Sequence, residues 1–383
     1  VEGQDPTNGT GTYGFYGFFC IDVKVRGAYG FGGWGIQAWQ WTKRLLYDRC
    51  SLNRIDGHWR VYDVETRGCQ ILNTGVRLAG GGYYRSRGDT WAMSDYDTVS
   101  GDAIAEQVFW SGRNDYGSDF DGEIDIDGLR VEVGTAPTAA EVANGITIVR
   151  PGQPLTYDHG RNVSSPQVIS IRNVTISVRG NVGTEASPVR VRCVLLDHYY
   201  NGPSHVVYWP SVINVDGVRF VDMTPDQILY IEAISSFDYS GSSVFCRRTA
   251  DTVNRHGTNA HVTIKNVVPQ FSTKYVPNET GGILRLVKTV ADWSSHYASD
   301  DDAWLPRISV ENCPHVVADA VIRGVLLFSE CVIHRVDYQR TGAGEILCRL
   351  VSCDIKPIDR TVADGSVSFE IPTANRAAYI GCT

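Results

Sequence analysis

The chain has little charge, and the balance it carries is acidic. Asp, Glu, Lys and Arg make up 20% of 383 residues and the formal net charge is −8. Neutralising a phosphate backbone takes clustered Lys and Arg, and none cluster here, so no nucleic-acid partner is expected. No apolar run approaches the roughly 20 residues that cross a bilayer, so no membrane insertion is expected. The opening VEGQDPTNGT lacks the charged and apolar regions of a signal peptide. A soluble chain is expected; because it starts at Val1, a processed product or internal fragment is expected too. Ten cysteines form no C-x-x-C pair. There is no G-x-S-x-G, H-E-x-x-H or P-loop. His198, His205, His256, His261 and His296 show no metal-ligand spacing, so neither metal nor cofactor is expected. Gly30, Gly32 and Gly35 do spell G-x-G-x-x-G, but strand after strand follows where a dinucleotide fold would alternate strands with helices.

Glycine (39 residues), aromatics (10%) and short runs of Val, Ile and Thr are abundant, and long amphipathic stretches are scarce. An all-β protein is predicted. One short strand is written twice: EIDIDGLRVEV starting at Glu123 and VINVDGVRFV starting at Val212, offset by 89 residues. A looser template of strand, bend and strand is anchored at Leu129, Val174, Val218, Val267, Cys313, Cys331 and Cys353, at intervals of 45, 44, 49, 46, 18 and 22 residues. Further apolar runs near Val149, Cys193, Cys246 and Val287 fall midway through the longer intervals, which implies a repeat of about 22 residues. Such self-similarity marks an architecture whose unit buries its apolar face only against the next one. A coil of parallel strands follows, with Val, Ile and Cys stacked at the ~4.8 Å spacing of paired strands. Cysteines at apolar strand positions read as small hydrophobes, hence free thiols assembled in a reducing cytoplasm. Sequons at Asn8, Asn162, Asn173 and Asn278 pull weakly the other way, towards secretion.

This pattern resembles the right-handed parallel β-helix of the pectate-lyase-like superfamily. The segment GAYGFGGWGIQAWQWTKRLL, residues 27–46, is similar to the glycine-rich start of viral and bacterial members, matching at Gly27, Ala28, Gly30, Gly32, Ile36, Gln37 and Ala38 and lacking the Asp-Asp-Thr. The resemblance implies a short capping helix here, and Ile36, Trp39, Leu45 and Leu46 could share one helix side. The predicted organisation is an amino-terminal segment with its cap (1–50), a β-helix body (51–375) and a tail (376–383). Within the superfamily the chain looks most like a bacteriophage tailspike. That likeness implies a homotrimer in the virion, built in the host cytoplasm, joined to other phage tail proteins, and binding and cleaving a bacterial surface polysaccharide.

The insertions between strands combine aromatics with Asp: residues 77–102, 107–123, 197–210, 235–243 and 292–306. Aromatic rings stack on sugar C–H faces and carboxylates accept from hydroxyls, so Tyr199, Tyr200, Trp209, Tyr239, Trp293, His296 and Trp304 are the expected substrate contacts. Glycoside hydrolysis needs two facing carboxyl groups. Asp197, after the apolar run VLL, and Glu232, inside ILYIEAI, are the first candidates, followed by Asp238 and Asp302, with Asp300 and Asp301 beside the last. A lyase would prefer Ca²⁺, for which Asp119, Asp121, Glu123, Asp125 and Asp127 line one strand face, though a solvated acidic face explains them better. Arg247 and Arg248 are a surface pair that could clamp an acidic sugar. Two rivals stand beside the enzymatic tailspike: a non-catalytic structural or adhesive virion protein, and a secreted microbial lyase or hydrolase.

Overall fold

The computed structural model describes residues 15–30, 37–93, 107–111, 120–133, 146–150, 163–164, 166–178, 189–196, 207–208, 210–221, 229–236, 261–267, 284–288, 307–314, 316–318, 324–336, 346–355 and 377–383. Among them the protein is all strand and turn. A single 25-stranded sheet holds nearly every strand, all strand pairings are parallel, and each strand pairs with the equivalent strand of the neighbouring repeats. The arrangement is compatible with a β-helix.

Three stacks share the work. The first runs through Ile21–Arg26, Lys43–Asp48, residues 62–67 and 83–87, Glu123–Asp127, residues 168–172 and 212–216, His261–Lys265, Arg307–Glu311, Gly324–Ser329, Ile346–Val351 and Ala377–Ile380. Alternation makes its interior: in Glu123–Asp127, His261–Lys265 and Arg307–Glu311 the second and fourth residues are buried and the others reach solvent. Ile124, Ile169, Ile213, Val262, Ile308 and Leu326 thus stand in register as one buried column. Each such side chain contributes about 1.5–3 kcal/mol by leaving water.

A second stack follows the first after a corner. The corner residue is held in the left-handed region in twelve successive repeats: Gly27, Arg49, Gly68, Gly88, Gly128, Asn173, Gly217, Asn266, Asn312, Glu330, Ser352 and Gly381. Glycine and asparagine accept this conformation with the least penalty, which other residues pay at ~1 kcal/mol or more. Asparagine adds a ladder: Nδ2 of Asn173 donates to Asp127 Oδ1 (2.8 Å), that of Asn266 to Asp216 Oδ1 (2.7 Å) and that of Asn312 to Asn266 Oδ1 (2.8 Å). The next residue points inward. Cys50, Cys69, Asp89, Leu129, Val174, Val218, Val267, Cys313, Cys331 and Cys353 follow the corner in successive repeats, all buried, with Val174 and Val218 in direct register. The predicted anchors therefore do stand one above another. Cys20, Cys50, Cys69, Cys193, Cys313, Cys331, Cys353 and Cys382 are free thiols; those of Cys50, Cys69 and Cys331 each donate to a carbonyl of the preceding repeat (3.6 Å).

The third stack corrects the period. Phe15–Phe18, Gln37–Gln40, residues 54–58 and 75–78, Gln107–Ser111, Ile146–Arg150, Val189–Leu196, Leu229–Ser236 and Leu284–Lys288 pair in that order. Val316–Ala318, Val332–Val336 and Asp354–Ile355 continue it. The midway runs near Val149, Cys193 and Val287 are thus another side of the same coil, not coils of their own. A bare coil takes about 20 residues, as from Cys50 to Cys69 to Asp89, and the central coils of about 45 carry insertions.

Two further expectations change. The described part of the proposed capping helix is strand, Gln37–Gln40 and Lys43–Asp48. Leu45 and Tyr47 face inward while Leu46 and Asp48 are only partly covered, a period of two that the apolar count had hidden. Residues 77–93, read as the start of a loop, are coil as well: they belong to Gln70–Arg87 and Thr90–Met93. Their triple glycine is a close-packed corner. A Cβ on Gly80 would lie 2.1 Å from Val61 O, and one on Gly82 would lie 2.2 Å from Asp63 Oδ1.

Candidate functional site

The coil turns from its third side to its first at a corner whose length varies. In the first repeats it is tight, spanning residues 19–22, 41–44 and 59–63. From the central repeats onward insertions leave at this point, as others, such as 134–145 and 268–283, do between the second side and the third. Val189–Leu196, Leu229–Ser236 and Leu284–Lys288 are neighbours in one stack, with Leu195 opposite Ser235 and Ser235 opposite Lys288. The chain returns at Val212, His261 and Arg307, which are also consecutive in register. Segments 197–210, 237–260 and 289–306 are therefore hung from the same two columns, each ~4.8 Å from the next. Val163–Ser164, in the insertion before these, pairs in parallel with Val207–Tyr208, so at least two adjacent insertions run alongside each other.

Of the predicted site residues, Asp197, Tyr199, Tyr200, Trp209, Asp238, Tyr239, Trp293, His296, Asp300, Asp301, Asp302 and Trp304 lie outside the described residues, as do Arg247 and Arg248. What is described is that the segments carrying them start and finish together. Glu232 lies on a strand, Leu229–Ser236, at a register position between Arg192 and Arg285.

On the acidic face weighed as a Ca²⁺ site, of which Asp119 lies outside the described residues, two carboxylates are engaged by arginine. Asp125 accepts from Arg87 Nη2 (2.5 Å) and Arg172 Nη2 (2.8 Å), and Asp127 lies 3.4 Å from Arg172 Nη2. Among the described residues no cluster of three or more His, Cys, Asp or Glu could hold a metal.

Sequence reasoning missed two polar groups. On outward positions of the third stack, Asp56 is fully buried, paired with Arg54 Nη2, and its Oδ1 lies 3.0 Å from His58 Nε2; Arg77 is in register with it. With one carboxylate engaged on both oxygens, this cluster is not the two-carboxyl arrangement of glycoside hydrolysis. The second is Asp89, in the column otherwise filled by Cys, Leu and Val. It accepts from Thr66 Oγ1 (2.5 Å), Ser86 Oγ (2.6 Å) and the Cys69 amide (2.7 Å), and burial nevertheless holds its carboxyl above the usual range. Burial likewise pushes the Cys69 thiol up to about 12, so it is no nucleophile at neutral pH. The signal for Asp89 was alignment: R-C-S-L at Arg49, R-G-C-Q-I at Arg67 and R-G-D-T-W at Arg87 repeat at intervals of about 20 residues.

No family model, no curated protein and no solved structure matches the chain.

Proposed function

We propose that the chain is a right-handed parallel β-helix of the kind its sequence resembles, serving as a tailspike-like receptor-binding protein of a bacteriophage virion. It would be assembled in the host cytoplasm as a homotrimer, joined to other tail proteins, and would bind and cleave a bacterial surface polysaccharide. One observation supports this reading above the others. The insertions richest in Trp, Tyr and Asp start from adjacent strands and return to adjacent strands, so their aromatic and carboxylate residues issue from a single flank. A rigid parallel stack with variable segments on one edge is the division of labour by which scaffolds carry binding sites.

In this reading Asp197 begins one insertion at the strand border and serves as general acid, while Glu232 acts from the strand itself. Arginine at both adjacent register positions, Arg192 and Arg285, suits a carboxylate that works ionised, as base or nucleophile. Asp238 and Asp302 are the alternates. The test is incubation with purified bacterial capsular polysaccharides and lipopolysaccharides. Released oligosaccharide is expected from the wild type. Removing a catalytic carboxyl should lower turnover by at least 100-fold in Asp197→Asn or Glu232→Gln. Full cleavage by both variants removes these residues from the reaction; binding without cleavage by the wild type leaves an adhesin. Light scattering that shows only monomer counts against the tailspike.

A further inference from the structure

In the first three repeats the corner that elsewhere carries insertions is bare, and its outward positions are aromatic. Phe19, Trp41 and Trp59 are 76%, 45% and 44% exposed. The Phe19 and Trp41 rings stack at 6.1 Å with 14° between planes, and the Arg60 guanidinium lies 5.7 Å from the Trp41 ring centre. All four residues are held at positive φ. Nothing in the coil requires rings there: the opposite corner makes the same left-handed bend with Gly, Asn, Ser, Glu and Arg. The fold accepts the strain, and the exposure, at three consecutive levels.

Three or four residues further on, a second column runs parallel to the rings. Asp22, Arg44 and Asp63 are again left-handed, and Arg44 Nη2 donates to Asp22 Oδ2 at 2.6 Å. Lys43 Nζ lies 3.8 Å from Asp63 Oδ2. These charges are largely paired with one another, so the strip presents hydrogen-bonding groups of both kinds with little net field. Aromatic faces beside carboxylate and guanidinium groups match the two sides of a sugar: C–H faces and hydroxyls. Three cations, Lys43, Arg44 and Arg60, stand against two carboxylates, Asp22 and Asp63, a surplus of a single charge that is too small to select a polyanion.

We propose that this corner is a second saccharide surface, on which a neutral stretch of a glycan chain packs against Trp41 and Trp59. It occupies the same edge of the coil as the insertions, further towards the amino terminus. The proposal rests on the reading of the protein as polysaccharide-binding, but it places contacts on a different and fully described surface. Three levels at ~4.8 Å give a strip long enough for two or three sugar rings. The strip therefore contributes to binding of long chains and not to binding of fragments short enough to sit on the insertion flank alone.

The experiment measures affinity by titration calorimetry for a panel of purified capsular polysaccharides and O-chains, each as the intact polymer and as fragments of one or two repeating units. The wild type is compared with the double variant Trp41→Ala/Trp59→Ala and the conservative pair Trp41→Phe/Trp59→Phe. The double Ala variant should bind polymer at least 10-fold more weakly and bind fragments as the wild type does, with the Phe pair restoring most of the loss. Both positions are exposed, so an unchanged thermal midpoint checks the fold; should the Ala pair not fold, the same split between polymer and fragment is read from Arg60→Ala with Lys43→Ala. Equal affinity of wild type and variants for polymer overturns the strip while leaving the insertion flank standing. Binding of no polysaccharide by the wild type brings down the functional reading and the strip with it. A wild-type assembly that the double Ala variant breaks apart would make the strip a contact between copies of this chain and overturn the proposal.

Discussion

The two corners beside the first stack differ in what they tolerate. The one after it keeps one left-handed residue and one inward residue through twelve repeats, from Gly27 to Gly381. The one before it is tight and aromatic in three repeats, glycine-packed at residues 80–82, and replaced by insertions of 14 to 24 residues at three consecutive levels. Backbone hydrogen bonds join level to level at both corners, Gly88 N to Asp127 O and Gly128 N to Arg172 O at the first, Phe19 N to Gln40 O and Trp41 N to Trp59 O at the second. The first is where the chain commits to its fold, because only there does the same bend recur at every level. The second corner only has to start and finish in register, which leaves what lies between free to vary. Stability should therefore respond to the first and ligand binding to the second.

The sharpest way to break that contrast is to open the interior behind the constant corner. Leu129→Ala removes a buried branch with Asp89 on one side and Val174 on the other, and should cost about 3 kcal/mol. Replacing residues 237–260 by a short Gly-Ser linker between Ser236 and His261 should change stability by less than about 1 kcal/mol, since loop length enters only logarithmically. Denaturant melts of the two variants side by side check this. A linker variant that loses as much as Leu129→Ala would show that the variable corner also builds the fold.

A smaller effect tests the corner conformation itself. At Gly217 an added methyl would meet Asn173 at an ordinary 3.4 Å, so space is not the obstacle; the backbone at φ +72° is. Gly217→Val should lose about 1–3 kcal/mol and Gly217→Asn much less, because Asn tolerates the left-handed region. Equal losses in the two variants would trace the glycine to packing rather than to backbone geometry.

The same comparison explains what could be read from the sequence. The constant corner was legible from Leu129 to Cys353 because a turn residue followed by a small apolar one recurs wherever the coil bends. It was not legible at Cys50, Cys69 and Asp89, where arginine forms the turn or precedes its glycine and a carboxylate stands in the apolar column. The amino-terminal coils were read as a helix because Trp39, Leu45 and Leu46 fit a helical side, although alternation in Lys43–Asp48 was present to be counted. Residues 77–93 looked like loop because glycine usually signals one, whereas here neighbouring coils leave no room for a side chain. The candidate flank was half legible. Aromatic and acidic composition picked out the insertions and their spacing of about 40 to 60 residues pointed to one flank, while strand register supplied the points of departure and return that 197–210, 237–260 and 289–306 share.

Asp89 offers the finest test, because it is the one carboxylate among the described residues of the inner column. Its hydrogen bonds favour the ionised form, yet burial outweighs them and its carboxyl titrates above the usual range. The folded protein thus binds this proton more tightly than the unfolded chain, where the group titrates near 3.9. The sign follows: this contribution to stability is most favourable below the unfolded value, declines as pH rises towards the folded value, and is fully lost above it. Asp89→Asn keeps the geometry. Its oxygen accepts from the Cys69 amide, and its amide donates to Thr66 Oγ1 and Ser86 Oγ, whose hydroxyls can turn to accept. The variant should gain on the wild type as pH climbs from 3 to 7, by an amount of order 1 kcal/mol per unit of the upward shift. Unfolding free energies measured across that range give the difference directly. Curves that run parallel would mean that the three donors cancel the cost of burial, and that a charge rests in this column as easily as the cysteines above and below it.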